Sequence, residues 1–186
     1  LPVKEVLHSQ KGETILDFGQ NIAGIVQMKT DVPKGTKIVL EHCEVLDKEG
    51  NYINNIMSVG GIGKGCDQKD VYISSGKKAT YIPHFTYHGF RYVKVTGIQA
   101  KAQDFSALVL SSRKEETGTF ETSDARLNQL YENTKWSQWA NMLSIPTDCP
   151  QREKAGWTGD MLVYSKTAMQ IEDCTNLFTR WLENMA

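Results

Sequence analysis

Thr36-Lys-Ile-Val-Leu-Glu-His42 follows directly on the turn signal Pro33-Lys34-Gly35 and reads as a strand weighted toward β-branched residues. The same texture extends in both directions. Before it, Ile15-Leu16-Asp17-Phe18 and Gly24-Ile25-Val26-Gln27-Met28 are short apolar or alternating runs. After it, Asp47-Lys-Glu-Gly-Asn51 is a turn, and Asp70-Val-Tyr-Ile-Ser74 is a strand closed by Ser75-Gly76. Tyr81 to Phe85 and Phe90 to Ile98 complete the set, with His88-Gly89 as a bend or bulge between them. Short strands punctuated by Gly and Pro, without a helical period, predict an antiparallel, jelly-roll-like β-sandwich over residues 1–112.

The texture changes at Ser123. That residue is placed to cap a helix carrying Leu127, Leu130, Tyr131 and Thr134, spaced by three and four, that runs to about Met142. A loop with Pro146 and Pro150 follows. Helical stretches then cover roughly Asp160 to Gln170 and Cys174 to Met185, the last with Leu177, Phe178, Trp181 and Leu182 on one face. The division is a β-domain over 1–112, a linker over 113–122 and a helical segment over 123–186. Three amphipathic helices beside a sandwich cannot bury all their apolar faces. The chain is therefore expected to be a fragment whose helical domain is cut early, with self-association through the exposed helices.

Bulk properties exclude some partners. The 186 residues are 40% hydrophobic and 23% charged, an ordinary globular balance. The formal net charge of -1, from 21 basic and 22 acidic residues, gives no electrostatic reason to expect nucleic acid or an anionic membrane. No apolar run approaches the roughly 18 residues of a membrane span. The first residues, Leu1-Pro2-Val3-Lys4-Glu5, are not a signal peptide and leave localisation open. Cys43, Cys66, Cys149 and Cys174 are scattered and form no CxxC pair, so free thiols are expected rather than a disulfide framework or a zinc site. A cytosolic, reducing setting suits them slightly better than a secreted one.

Chemistry concentrates in Asp148-Cys-Pro-Gln-Arg-Glu153-Lys-Ala-Gly-Trp157-Thr-Gly-Asp160. Three carboxylates are interleaved there with Arg152, Lys154 and Trp157, while Pro150, Gly156 and Gly159 prevent a long helix. Glu153, Trp157 and Asp160 fall at i, i+4, i+7, which puts them on one side even of a loosely helical path. The set suits a sugar: an aromatic face stacks on a pyranose ring and carboxylates accept from its hydroxyls. A carboxyl beside other carboxylates and an indole is also a natural general acid. The bland alternative is a salt-bridged loop before a helix, with Trp157 in the core.

This segment resembles the signature of bacterial α-L-rhamnosidases, a family with an (α/α)6-barrel catalytic domain. Asp17-Phe-Gly-Gln-Asn-Ile-Ala-Gly24 and His84-Phe-Thr-Tyr-His-Gly-Phe-Arg-Tyr-Val93 are similar to the domain that precedes the barrel. The resemblance implies Glu153 as general acid and Asp148, Trp157 and Asp160 as binders of rhamnose, with Arg152 supporting the carboxylates. It implies hydrolysis of rhamnose-containing glycosides with inversion and no cofactor. Inversion needs a second carboxylate roughly 6.5–9.5 Å from the acid to activate water. In the family that base lies on a much later helix, and Glu172, Asp173 and Glu183 match no such context, so the base is expected outside this chain. A different class of function, a non-catalytic carbohydrate-binding or structural sandwich, is the competing reading.

Other candidates carry less. His84 and His88 share a strand face but would stand about 13 Å apart at roughly 3.3 Å per residue, too far for one metal. Gly60-Gly-Ile-Gly-Lys-Gly65 lacks the spacing and the Ser or Thr of a phosphate loop. Cys149 has no histidine near in sequence and reads as a packing residue. Trp136, Trp139 and Trp181 read as core or interdomain aromatics.

Overall fold

The computed structural model describes residues 1–54, 67–112 and 114–186. The Gly60–Gly65 segment and Cys66 lie outside the described residues. Seven strands come first: β1 Glu5–His8, β2 Thr14–Thr30, β3 Lys37–Cys43, β4 Lys69–Ile73, β5 Ala79–Tyr81, β6 His88–Thr96 and β7 Phe105–Val109. They pair antiparallel in the order β1-β2-β6-β3-β4, with β5 and β7 also bonded to β2. The expected antiparallel sandwich is present, but it is organised on one long strand.

That strand, β2, fuses the two runs that the sequence presents as separate. Its first part pairs with β1 and β6, and its last part with β7 and β5. At the join, the register against β6 shifts between Asp17 and Ile22. Asp17 holds this bulge in place. Its carboxylate accepts the Gly19 N–H at 2.6 Å, and Arg91 of β6 donates to both its oxygens at 2.9 and 2.8 Å. Burial alone would raise the Asp17 pKa, but the Arg91 guanidinium and the Gly19 N–H outweigh it and hold the carboxyl below its ordinary range.

Alternation sets the core. In β3, Ile38, Leu40 and His42 point inward at every second position. They join Leu16, Phe18, Val26, Met28, Phe90, Val93 and Phe105. Three elements differ from expectation. The strand expected over Tyr81 to Phe85 ends at Tyr81, because Pro83 has no N–H to give and Phe85 turns out at φ 60, fully exposed. The strands β1 and β7 have no counterpart in the sequence reading.

Helices follow: α1 Ala125–Asn141, α2 Thr158–Ile171 and α3 Thr175–Met185. The cap of α1 is Asp124, not Ser123, with its carboxylate accepting the Arg126 N–H at 2.9 Å. Between α1 and α2 lies a small hairpin, β8 Met142–Leu143 with β9 Ile145–Pro146. Trp136 of α1 packs on the sandwich core, and buried Trp139 donates to the Glu172 carboxylate. The strip after the sandwich is tied to the helices: Thr117 donates to Ile171 O at 3.0 Å and Asp173 to Glu115 O at 3.1 Å. On the other side, Leu162 and Val163 are 78% and 82% exposed.

Candidate active site

The loop from Thr147 to Trp157 joins β9 to α2, and Asp148 closes it into a ring. The Asp148 N–H donates to Ala155 O and its Oδ1 accepts the Ala155 N–H, both at 3.1 Å. Cys149 sits inside this ring as the packing residue the sequence suggests. Its thiol donates to Asp148 Oδ2 at 3.2 Å and accepts the Glu153 N–H at 3.3 Å. Gly156 leaves the loop flat against α3, since a side chain there would land on the Trp181 ring.

Glu153 is held from two sides. Its Oε2 accepts the Trp157 indole N–H at 3.0 Å, and its Oε1 faces Arg152 Nη2 at 3.2 Å. Trp157 is the residue before α2 and is 45% exposed. Asp160 lies in the first turn of α2, where the helix N-terminus favours negative charge. Asp148, Trp157 and Asp160 line one groove of about 730 Å³ between α1 and α2. Glu153 and Arg152 do not line this groove, and Glu153 is joined to it through its hydrogen bond with Trp157. The structure thus brings three of the five expected residues to one surface and sets Glu153 one hydrogen bond away.

Polar residues of α1 that the sequence reading passed over complete the wall: Asn133, Ser137 and Asn141. They recur every four residues, and that spacing alone could have revealed them. A half-exposed indole, two carboxylates and side-chain amides in one groove are the groups that bind a pyranose.

The later acids stand elsewhere. Glu172 is buried against Trp139, and Asp173 accepts the Thr175 N–H at the start of α3 at 3.0 Å. Glu183 is exposed on α3.

His84 and His88 do not meet: His84 is exposed, whereas His88 is buried with His42 and Asp70. His88 Nε2 lies 3.0 Å from Asp70 Oδ1, and His42 Nδ1 lies 3.0 Å from Gln68 O. The three side chains are near enough to invite a metal. The rings, however, stack at 4.1 Å with 23° between their planes. Their in-plane lone pairs therefore lie in two nearly parallel planes that do not meet at one ion, so the residues fit a hydrogen-bonded brace better than a ligand set. Among the described cysteines, burial pushes the Cys43 thiol up to about 12 and the Cys174 thiol up to about 11, which leaves both unreactive.

Both halves of the chain have counterparts among known proteins. Residues 7–111 match the bacterial α-L-rhamnosidase concanavalin-like domain. Residues 115–186 match the bacterial α-L-rhamnosidase 6 hairpin glycosidase domain. The α-L-rhamnosidase of Streptomyces avermitilis is 38% identical across 100% of this chain, which spans 18% of that protein. One from Formosa agariphila is 36% identical over 98% of the chain and 19% of its own length. Among solved structures, the native enzyme from Aspergillus terreus superposes with a TM-score of 0.89 at 37% identity, over 98% of this chain and 21% of that one. The Streptomyces avermitilis enzyme complexed with L-rhamnose gives 0.86 at 38% identity, over 98% of this chain and 18% of that one. The chain spans about a fifth of the length of the relatives it matches. It belongs to the bacterial α-L-rhamnosidase family, its sandwich corresponding to the concanavalin-like domain and its helices to the start of the six-hairpin glycosidase domain.

Proposed function

We propose that the protein carrying these residues is a glycoside hydrolase that removes terminal α-L-rhamnose from glycosides with inversion. The observation that carries this reading is the Asp148–Asp160 constellation: Glu153 hydrogen-bonded to Trp157, beside a groove lined by Asp148, Trp157 and Asp160. In this reading Trp157 stacks on the sugar ring, and Asp148 and Asp160 accept from its hydroxyls. Arg152 orients Glu153, which protonates the departing glycosidic oxygen. A carboxylate elsewhere in the parent protein takes the proton of the attacking water. No cofactor enters the reaction.

The test is the product of the full-length protein on an aryl α-L-rhamnoside, followed by NMR from the first turnovers. The expected first product is β-L-rhamnose, which then mutarotates. Initial release of the α-anomer would sink the inverting mechanism, and no release at all would sink the hydrolase reading.

The chain by itself has a separate expectation. Leu130, Leu162, Val163 and Leu182 are all more than half exposed on the helices. The 186-residue chain should therefore self-associate, with a light-scattering mass that rises with concentration. A constant monomer mass across the range would contradict it.

A further inference from the structure

We propose that Lys154 is a positioning residue, strapping the Glu153 loop to the sandwich at Tyr87–Gly89 and so fixing where the acid's carboxyl stands. The proposal rests on the assignment of Glu153 as the acid.

The strap is direct. Lys154 Nζ donates to Tyr87 O at 2.6 Å and stands 4.1 Å from the centre of the Tyr87 ring. Lys154 takes φ 51, a left-handed conformation that a side chain adopts only when its surroundings enforce it. That turn lets adjacent residues serve opposite partners: Glu153 bonds to Trp157 and Lys154 to the sandwich.

The seat beneath is equally specific. A side chain at Gly89 would bring its Cβ 2.8 Å from Pro150 Cγ and 3.0 Å from Gln151 N. Only glycine lets the start of the loop settle there. Gly89 is in turn clamped by buried Gln68, which donates to its carbonyl and accepts its N–H, both at 2.8 Å. The next residue back, His88, is tied to Asp70. The loop therefore rests on one braced stretch of sandwich on both sides of Glu153, through Pro150 and Gln151 before it and Lys154 after it. Proton delivery demands hydrogen-bond reach, and small displacements of a catalytic group cost large factors in rate.

The test compares two leaving groups in the full-length protein. An alkyl α-L-rhamnoside needs its glycosidic oxygen protonated as the alcohol departs, whereas a dinitrophenyl rhamnoside releases dinitrophenolate, a stable anion that needs no proton. Lys154→Met keeps the stem and removes the ammonium. It should lower kcat/KM on the alkyl substrate by about 100-fold and on the dinitrophenyl substrate by less than about threefold, since only the first relies on a placed acid. Lys154→Arg should restore much of the loss, and Gly89→Ala should reproduce the same split. A general structural defect would lower both substrates together. Equal losses on both, or no loss on the alkyl rhamnoside, overturn the proposal. Glu153→Gln measured alongside separates the two failures. If that variant retains alkyl activity, the acid assignment is wrong; if it is inactive while Lys154→Met is not, only the strap is wrong.

Discussion

Full-length protein bearing Glu153→Gln is expected to lose roughly a thousandfold in kcat on alkyl α-L-rhamnosides, the middle of the range for general acid catalysis. That factor corresponds to about 4 kcal/mol of transition-state stabilisation. Glutamine has the shape of glutamate and keeps a carbonyl to accept the Trp157 indole N–H now held at 3.0 Å. The loop should stay closed, since its ring is made by Asp148, Ala155 and Cys149 rather than by the Glu153 side chain. What is lost is a transferable proton. KM should hardly move, because the groove wall is formed by Asp148, Trp157 and Asp160. A dinitrophenyl rhamnoside should suffer far less, since its leaving group needs no acid. Alkyl activity within about tenfold of the unaltered protein would mean that Glu153 is not the acid.

The site was unusually readable. Asp148 to Asp160 is contiguous, so one stretch of sequence holds most of the local geometry. Its Pro and Gly residues force a loop that closes on itself. The reading that put Glu153, Trp157 and Asp160 on one side was partly right for a different reason. Glu153 and Trp157 meet across a loop, through a hydrogen bond, and not along a helix face. What contiguous sequence could not offer was the other wall of the groove. Asn133, Ser137 and Asn141 belong to α1 and reach the site only because α1 and α2 pack side by side.

The sandwich was readable as a class and less so in its joints. Alternation picks out Ile38 and Leu40, and one further step picks out His42 as an inward residue. A histidine at the end of a polar-looking run hides that step. The fusion of two runs into β2 depends on Arg91, 74 residues away, seating itself on Asp17 across the bulge. No local signal announces such a pairing. The exposed apolar residues Val71 and Ile73 mislead in the opposite sense. In β4 it is Asp70 that points inward, because its partners His88 and His42 wait there.

That inward trio sets the second large expectation, a steep loss of stability in mild acid. Burial drives the His42 pKa down from 6.5 to about 3, and the neighbouring His88 and Lys154 push the same way. Asp70 and the Gln68 carbonyl oppose them without prevailing. The unfolded chain binds a proton at this histidine once the pH drops below about 6.5, while the folded chain declines it until about 3. Between those values the unfolded state holds more protons, so stability must fall as the pH falls. The slope is about 1.4 kcal/mol per pH unit, roughly 4 kcal/mol across the window. Asp70 adds to the loss at the lower end: burial is the largest influence and works to raise its pKa, but the His88 hydrogen bond together with the charges of His88, His42 and Lys154 outweighs it and keeps the pKa depressed, so its contribution goes as it protonates. Urea unfolding of the dilute chain, followed by far-ultraviolet circular dichroism from pH 7 to 4.5, should show the midpoint sliding steadily down. His42→Asn should start from a lower stability, since it loses the ring stacked on His88, yet its midpoint should be much flatter over the same range. The slope is the discriminating quantity. If the variant and the unaltered chain decline in parallel, His42 titrates in the folded state as it does in water, and the buried trio is not what limits the fold in acid.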